Sequence, residues 1–260
     1  MANYYGGPKI SWSKASGASK YYVYRKTKST SWKYVGSTTS TSYVDKSAKS
    51  DTKYYYAVKS LDGDSASYHS TSHFNDTCKT INYLAAPVVK ASNETSTAIK
   101  VSWGKVSGAQ KYYVYRKAGS AKSWTKVKTT TSTSYTDKNV KNGTTYKYMV
   151  KAIDGSIISG YNSSGISIKR LAAPTPSSVT SSKSGVTFKW GKVSGVSGYY
   201  VYRKTGTGSY KKIATVKGYK KVSYLDKSAK KGKTYTYMVK AYSGSTTSAY
   251  RTGLKIKDKY

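Results

Sequence analysis

Val101-Ser102-Trp103-Gly104-Lys105-Val106-Ser107-Gly108 and, three residues later, Tyr112-Tyr113-Val114-Tyr115-Arg116-Lys117 form a stretch that the 260-residue chain states three times. The first copy has Trp12, Gly17 and Tyr21-Tyr22-Val23-Tyr24-Arg25-Lys26, and the third has Trp190, Gly195 and Tyr199-Tyr200-Val201-Tyr202-Arg203-Lys204. Trp12 to Trp103 is 91 residues and Trp103 to Trp190 is 87. That period is too long for a solenoid unit and suits a small domain. It predicts three domains: residues 1–83, 84–170 and 171–260. Within each copy apolar and polar residues alternate with the period of a strand, and no segment has an apolar period of 3.6 over several turns. The chain reads as all-β.

Around this stretch the middle copy sets out seven strands. Residues 97–103 alternate, with Ile99, Val101 and Trp103 on one face, and Gly108 marks a turn. Residues 112–117 and 123–129 follow, then the short Ser134-Tyr135-Thr136-Asp137. Lys141-Asn142-Gly143 signals a turn into an alternating strand over 145–153. Asp154-Gly155 then leads to a last strand ending near Lys169. Short strands with turns every eight to twelve residues suit a two-sheet sandwich. With 30 Tyr against 5 Trp and 2 Phe, tyrosine must supply much of each core and send its hydroxyl to a partner at the edge.

These residues resemble fibronectin type III domains of bacterial surface and secreted proteins. The likeness rests on the second-strand Trp (Trp12, Trp103, Trp190), the Tyr-Tyr-Val-Tyr-Arg third strand and the Ser-Tyr-x-Asp of the fifth. The sixth strand adds Tyr146, Tyr148, Val150 and Ala152, repeated as Tyr235, Tyr237, Val239 and Ala241; the first unit departs slightly, with Tyr54, Tyr56, Val58 and Ser60. Tyr54, Tyr146 and Tyr235 fall where that family has its tyrosine corner. The resemblance implies three tandem fibronectin type III-like (immunoglobulin-like) β-sandwiches with a binding or spacing role and no enzymatic one. The Arg-Gly-Asp motif of some animal members is absent. Leu84-Ala85-Ala86-Pro87 and Leu171-Ala172-Ala173-Pro174 open the second and third units, each Pro 16 residues before its Trp. Only eleven residues precede Trp12, so the first strand of the first unit should be short or missing. Such short linkers predict a semi-rigid, monomeric rod.

The charge balance is extreme: 46 basic and 10 acidic residues give +36. Such a field attracts nucleic acid, teichoic acid, sulfated glycans and anionic surfaces. The Lys residues are spread over all three units, and they equally serve as a solvated surface that discourages edge-to-edge pairing. One cysteine, Cys78, excludes an internal disulfide. No apolar run approaches the ~20 residues of a membrane span. The start, Met1-Ala2-Asn3-Tyr4-Tyr5, lacks the features of a signal peptide. The expectation is a fragment of a larger extracellular protein, secreted or held at the cell surface.

Period two sends Tyr22 and Tyr24 to the outer face if Tyr21 and Val23 point inward. The same rule places Tyr113, Tyr115, Tyr200 and Tyr202 outside, beside Tyr55, Ala57, Lys59 and Leu61 in the first unit. In the second unit they stand beside Lys147, Met149 and Lys151, and in the third beside Met238, Lys240 and Tyr242. Trp32, Trp124 and Tyr210 on the adjoining hairpin widen that face. Exposed aromatics on a rigid sheet suit a host or matrix glycoprotein or a cell-surface polysaccharide; equally, cross-strand Tyr–Lys pairs simply cover an outer face. His69 and His73, with Asp62, Asp64 and Asp76 nearby, are weak metal candidates, since no third ligand is indicated. No cofactor is expected. Asp45, Asp137 and Asp226 read as equivalent turn formers. Glu94 is the one glutamate, and no His, Cys or carboxylate recurs in a pattern for acid–base or nucleophilic chemistry.

Overall fold

The computed structural model describes residues 1–62, the backbone of 65–66, and residues 78–95 and 97–260. Among the described residues the regular secondary structure is all strand. The first sandwich contains β1 (Ala2–Tyr4), β2 (Gly7–Ser11), β3 (Lys20–Lys26), β4 (Lys33–Thr38), β5 (Ser42–Val44), β6 (Thr52–Asp62), β7 (Ser65–Ala66) and β8 (Lys79–Tyr83). The second contains β9 (Val89–Ser92), β10 (Ile99–Trp103), β11 (Lys111–Ala118), β12 (Thr125–Thr130), β13 (Ser134–Asp137), β14 (Thr145–Asp154), β15 (Ile157–Ile158) and β16 (Ile166–Lys169). The third contains β17 (Pro176–Ser182), β18 (Gly185–Trp190), β19 (Gly198–Thr205), β20 (Lys211–Lys217), β21 (Ser223–Asp226), β22 (Thr234–Ser243), β23 (Thr246–Thr247) and β24 (Leu254–Lys257).

Each set forms the same two antiparallel sheets. In the second sandwich one sheet runs β13-β10-β9 and the other β12-β11-β14-β15, with β16 also on β14. The last strand expected as one piece is thus two. Ser159 causes the break: its Oγ accepts the Ala152 amide at 2.8 Å and donates to the Gly160 carbonyl at 2.8 Å. Ser248 repeats this on Ala241 and Ala249. The first strand is three residues long in the first sandwich, as Ala2–Tyr4, against seven in the third.

Period-two alternation decides what is buried. Val101, Val114 and Val150 are sealed in the second core with Trp103, Tyr112, Tyr146 and Tyr148. Each Trp meets its third-strand Tyr edge-on: Trp12–Tyr21 at 5.3 Å, Trp103–Tyr112 at 5.4 Å and Trp190–Tyr199 at 5.3 Å between centroids. The tyrosine hydroxyls are satisfied at the edge of the core. Tyr112 accepts the Val106 amide at 3.0 Å, and Tyr146 accepts that of Lys141 at 2.8 Å. Tyr54 and Tyr235 accept from Lys49 and Lys230 in the same way. This lets a core poor in aliphatics bury rings worth about 1.5–3 kcal/mol each without stranding those hydroxyls, although the buried indole N–H of Trp12, Trp103 and Trp190 has no hydrogen-bond partner among the described residues.

The Arg of the repeated stretch points inward. Arg25, Arg116 and Arg203 reach Asp45, Asp137 and Asp226 at 2.6, 2.8 and 2.6 Å. Tyr56, Tyr148 and Tyr237 donate to the same carboxylates at 2.7, 2.8 and 2.7 Å. The three Asp residues do form turns, since Ser47, Asn139 and Ser228 amides bond their second oxygens. The turn reading was incomplete, however: these carboxylates are at most 1% exposed and tie one sheet to the other. Burial works against the charge on Asp45 and Asp226, but hydrogen bonds from serine and tyrosine, with the arginine charge, outweigh it and hold both below the usual carboxylate range. Burial and the neighbouring carboxylate push the hydroxyls of Tyr56, Tyr148 and Tyr237 far up, so they remain donors.

Candidate binding faces and joints

The outer face of each five-stranded sheet carries the candidate side chains, and register brings them together. Tyr113 pairs with Lys151 and Thr129, and Tyr115 with Met149 and Lys126. Tyr200 pairs with Lys240, and Tyr202 with Met238 and Lys212. The tyrosines are half-buried, because lysines lie over them. Lys126 Nζ is 4.5 Å from the Tyr113 centroid, and Lys212 Nζ is 4.6 Å from that of Tyr200. Lys151 reaches Tyr115 and Tyr161 at 5.6 and 4.5 Å, and Lys240 reaches Tyr202 and Tyr250 at 6.0 and 5.3 Å. Lys26, Lys117 and Lys204 stand over Trp32, Trp124 and Tyr210 at 5.0, 4.9 and 5.3 Å. The face is a ladder of cation–π pairs, each worth about 0.5–1 kcal/mol at such exposure. Its methionines do not contribute surface: Met149 and Met238 are buried, as are Ala57 and Leu61.

The first sandwich differs at one rung. Tyr34 stands opposite Tyr24, where the others have Lys126 and Lys212. Tyr34 is 48% exposed and contacts Tyr22 and Tyr24 edge-on at 5.4 and 5.9 Å. His69 and His73 lie outside the described residues. Among the described residues no group of three His, Cys, Asp or Glu side chains could hold a metal ion.

Residues to which the sequence reading gave no role hold neighbouring sandwiches together. Asn3, on β1, donates to the carbonyls of Asn82 and Ile158 at 3.2 and 3.3 Å and accepts the Leu84 amide at 3.3 Å. Asn93, just after β9, repeats all three contacts on Lys169, Thr247 and Leu171, at 3.0, 3.2 and 3.2 Å. Each asparagine therefore bonds the end of its own unit, the linker and the last hairpin of the next unit. A second clip faces it. Ser50 Oγ accepts the Ala85 amide and donates to the Ser107 carbonyl, both at 2.9 Å. Asn142 does the same with Ala172 and Ser194 at 2.7 and 3.2 Å. Arg170, 2% exposed, adds bonds to Asn93 and to the Leu171 carbonyl at the second joint. Burial lowers its guanidinium from its usual range. No sequence signal pointed to Asn3 and Asn93, which lie in unlike surroundings.

The architecture defines a class: tandem antiparallel sandwiches, three strands against four to five, with a buried Trp and a tyrosine corner in each. Residues 85–167 match the fibronectin type III domain family. The flanking sandwiches repeat the strand order and the buried markers of the matched one. It is similar to poly(3-hydroxybutyrate) depolymerase of Ralstonia pickettii, 36% identical over 34% of this chain and 17% of that one. It is also similar to exoglucanase B of Cellulomonas fimi, 28% identical over 68% of this chain and 18% of that one. Chitinase 63 of Streptomyces plicatus is 32% identical over 48% and 20%. The chain thus spans about a fifth of the length of these relatives. Among solved structures, the chicken CNTN1 FN1-FN3 domains align over 97% of this chain and 94% of theirs, at 19% identity and a TM-score of 0.36.

Proposed function

We propose that this chain is an accessory rod of a secreted bacterial protein, which holds the parts on either side of it at a set distance and angle. The repeated joint carries this reading. Asn3 and Asn93 make the same three bonds, and Ser50 and Asn142 the same two, so that successive units meet in one geometry. Two clips on opposite sides of a four-residue linker leave it little freedom to bend. The similarity to short stretches of much longer enzymes supports the same reading. The test is a set of distances between spin labels on the equivalent exposed residues Lys46, Lys138 and Lys227, each changed to Cys in a Cys78→Ser background. A rod gives narrow distributions for 46–138 and 138–227, and Asn93→Ala broadens only the second. Broad distributions in the parent would sink the proposal.

The outer ladder favours a second reading, adhesion to a host or matrix glycoprotein or a polysaccharide. Three recurring Tyr–Lys faces and the uncovered Tyr34 support it. Binding that survives ~500 mM salt and is lost in Tyr113→Ala/Tyr115→Ala carries this reading. Binding confined to polyanions and abolished by salt reduces it to charge alone.

A further inference from the structure

The two joints share their clips but differ in what fills them. At the first joint Gly160 lies against the backbone of Tyr4 and Tyr5; a Cβ added there would stand 2.3 Å from the Tyr4 carbonyl carbon. Strand register makes Glu94 the counterpart of Tyr4, and the paired turns make Ala249 and Tyr250 those of Gly160 and Tyr161. The second joint has Ala249 in place of that glycine. It holds an open cleft of about 690 Å³, within the usual ~300–1,000 Å³ of small-ligand sites.

The lining states the chemistry of an occupant. Tyr250, 55% exposed, supplies an aromatic ring whose one face is taken by Lys240 Nζ at 5.3 Å. Hydroxyls come from Ser167, Thr246 and Thr247, and a carboxylate from Glu94. Glu94 is paired with Lys100 at 2.6 Å, so this wall of the cleft is balanced in charge inside a strongly basic protein. A ligand that stacks a flat apolar face on one ring and both donates and accepts hydrogen bonds around it is an uncharged pyranose chain. We propose that the joint between the second and third sandwiches is a binding cleft for a neutral oligosaccharide. The proposal rests on the fixed joint of the rod reading, because both units contribute walls.

The experiment uses the whole chain and two soluble probes, cellohexaose and chitohexaose, followed by amide NMR and calorimetry. At least one probe is expected to shift the Thr247 and Ala249 amides saturably. Tyr250→Ala should weaken it about tenfold or more, near the 1.4 kcal/mol expected for losing a stacking contact. Tyr161→Ala, at the equivalent position of the first joint, should change nothing. Ala249→Gly, which restores the residue that allows close backbone approach at the first joint, should weaken binding. Shifts confined to the Tyr113 or Tyr200 faces overturn the proposal, as does silence with both probes. So does binding only to an acidic hexasaccharide such as oligogalacturonate. The label distances separate the two readings: narrow distances with no sugar binding sink the cleft alone, whereas broad distances sink the rod.

Discussion

Replacing Tyr237 with Phe should destabilise the third sandwich without altering its shape. The ring of Tyr237 stacks on Phe188 at 5.6 Å, and that contact survives the change. Only the hydroxyl that donates to Asp226 at 2.7 Å is lost. A hydrogen bond to a buried charged group contributes about 1.5–3 kcal/mol. Asp226 keeps Arg203 on the same oxygen and Ser228 on the other, so the loss should fall at the lower end, about 1.5–2 kcal/mol. Native-state hydrogen exchange reads this by position. The slowest amides of β19 and β22 should exchange about ten- to thirtyfold faster, while those of β11 and β14 stay unchanged. The pH dependence has a definite sign. The folded carboxyl of Asp226 lies below its unfolded value, so its contribution is present above the unfolded value of ~3.9 and is lost as pH falls through the folded one. Removing the hydroxyl raises the folded value and shifts the acid loss of the third sandwich to higher pH. A Phe variant whose protection and acid midpoint both match the parent would refute the claim that this interior pair depends on its tyrosine.

Gly165→Ala should cost about 1–3 kcal/mol by thermal denaturation, because φ is +65° there and a Cβ would stand 2.6 Å from the Trp124 ring; recovery in Gly165→Ala/Trp124→Ala identifies the ring as the cause. Asp137→Ala leaves Arg116 and Tyr148 facing a buried gap, and loss of about 3 kcal/mol or more is expected from the second sandwich in denaturant. Lys126→Ala uncovers Tyr113 at little cost, within about 1 kcal/mol, and should raise the accessibility of that ring to surface labelling.

The interior was largely legible. Alternation in 112–117 named Tyr112 and Val114 as buried and Tyr113 and Tyr115 as outer, and the fold follows that assignment. It was less successful on the outer face of the sixth strand, where Met149 and Met238 have the right parity but are buried. Parity gives a direction; it does not say how far adjacent side chains reach. The Arg–Asp–Tyr cluster was visible only as three recurring letters. Its Arg and Asp lie 20 to 23 residues apart on opposite sheets, and its Asp and Tyr 11 apart, contacts that no local period encodes.

What the sequence determined by itself was whatever repeats locally: three units, their strands, the inward Trp and Tyr, and the Lys that shield the outer rings. These depend on side-chain parity and on turns of a few residues. Only tertiary structure decided how the units meet. Asn3 and Asn93 act through carbonyls 79 and 76 residues away in their own unit and 155 and 154 away in the next. At one joint the backbone of Tyr4 and Tyr5 packs against Gly160, and at the other a cleft opens beside Ala249, a difference that arises only when segments far apart in the chain are brought to the same place.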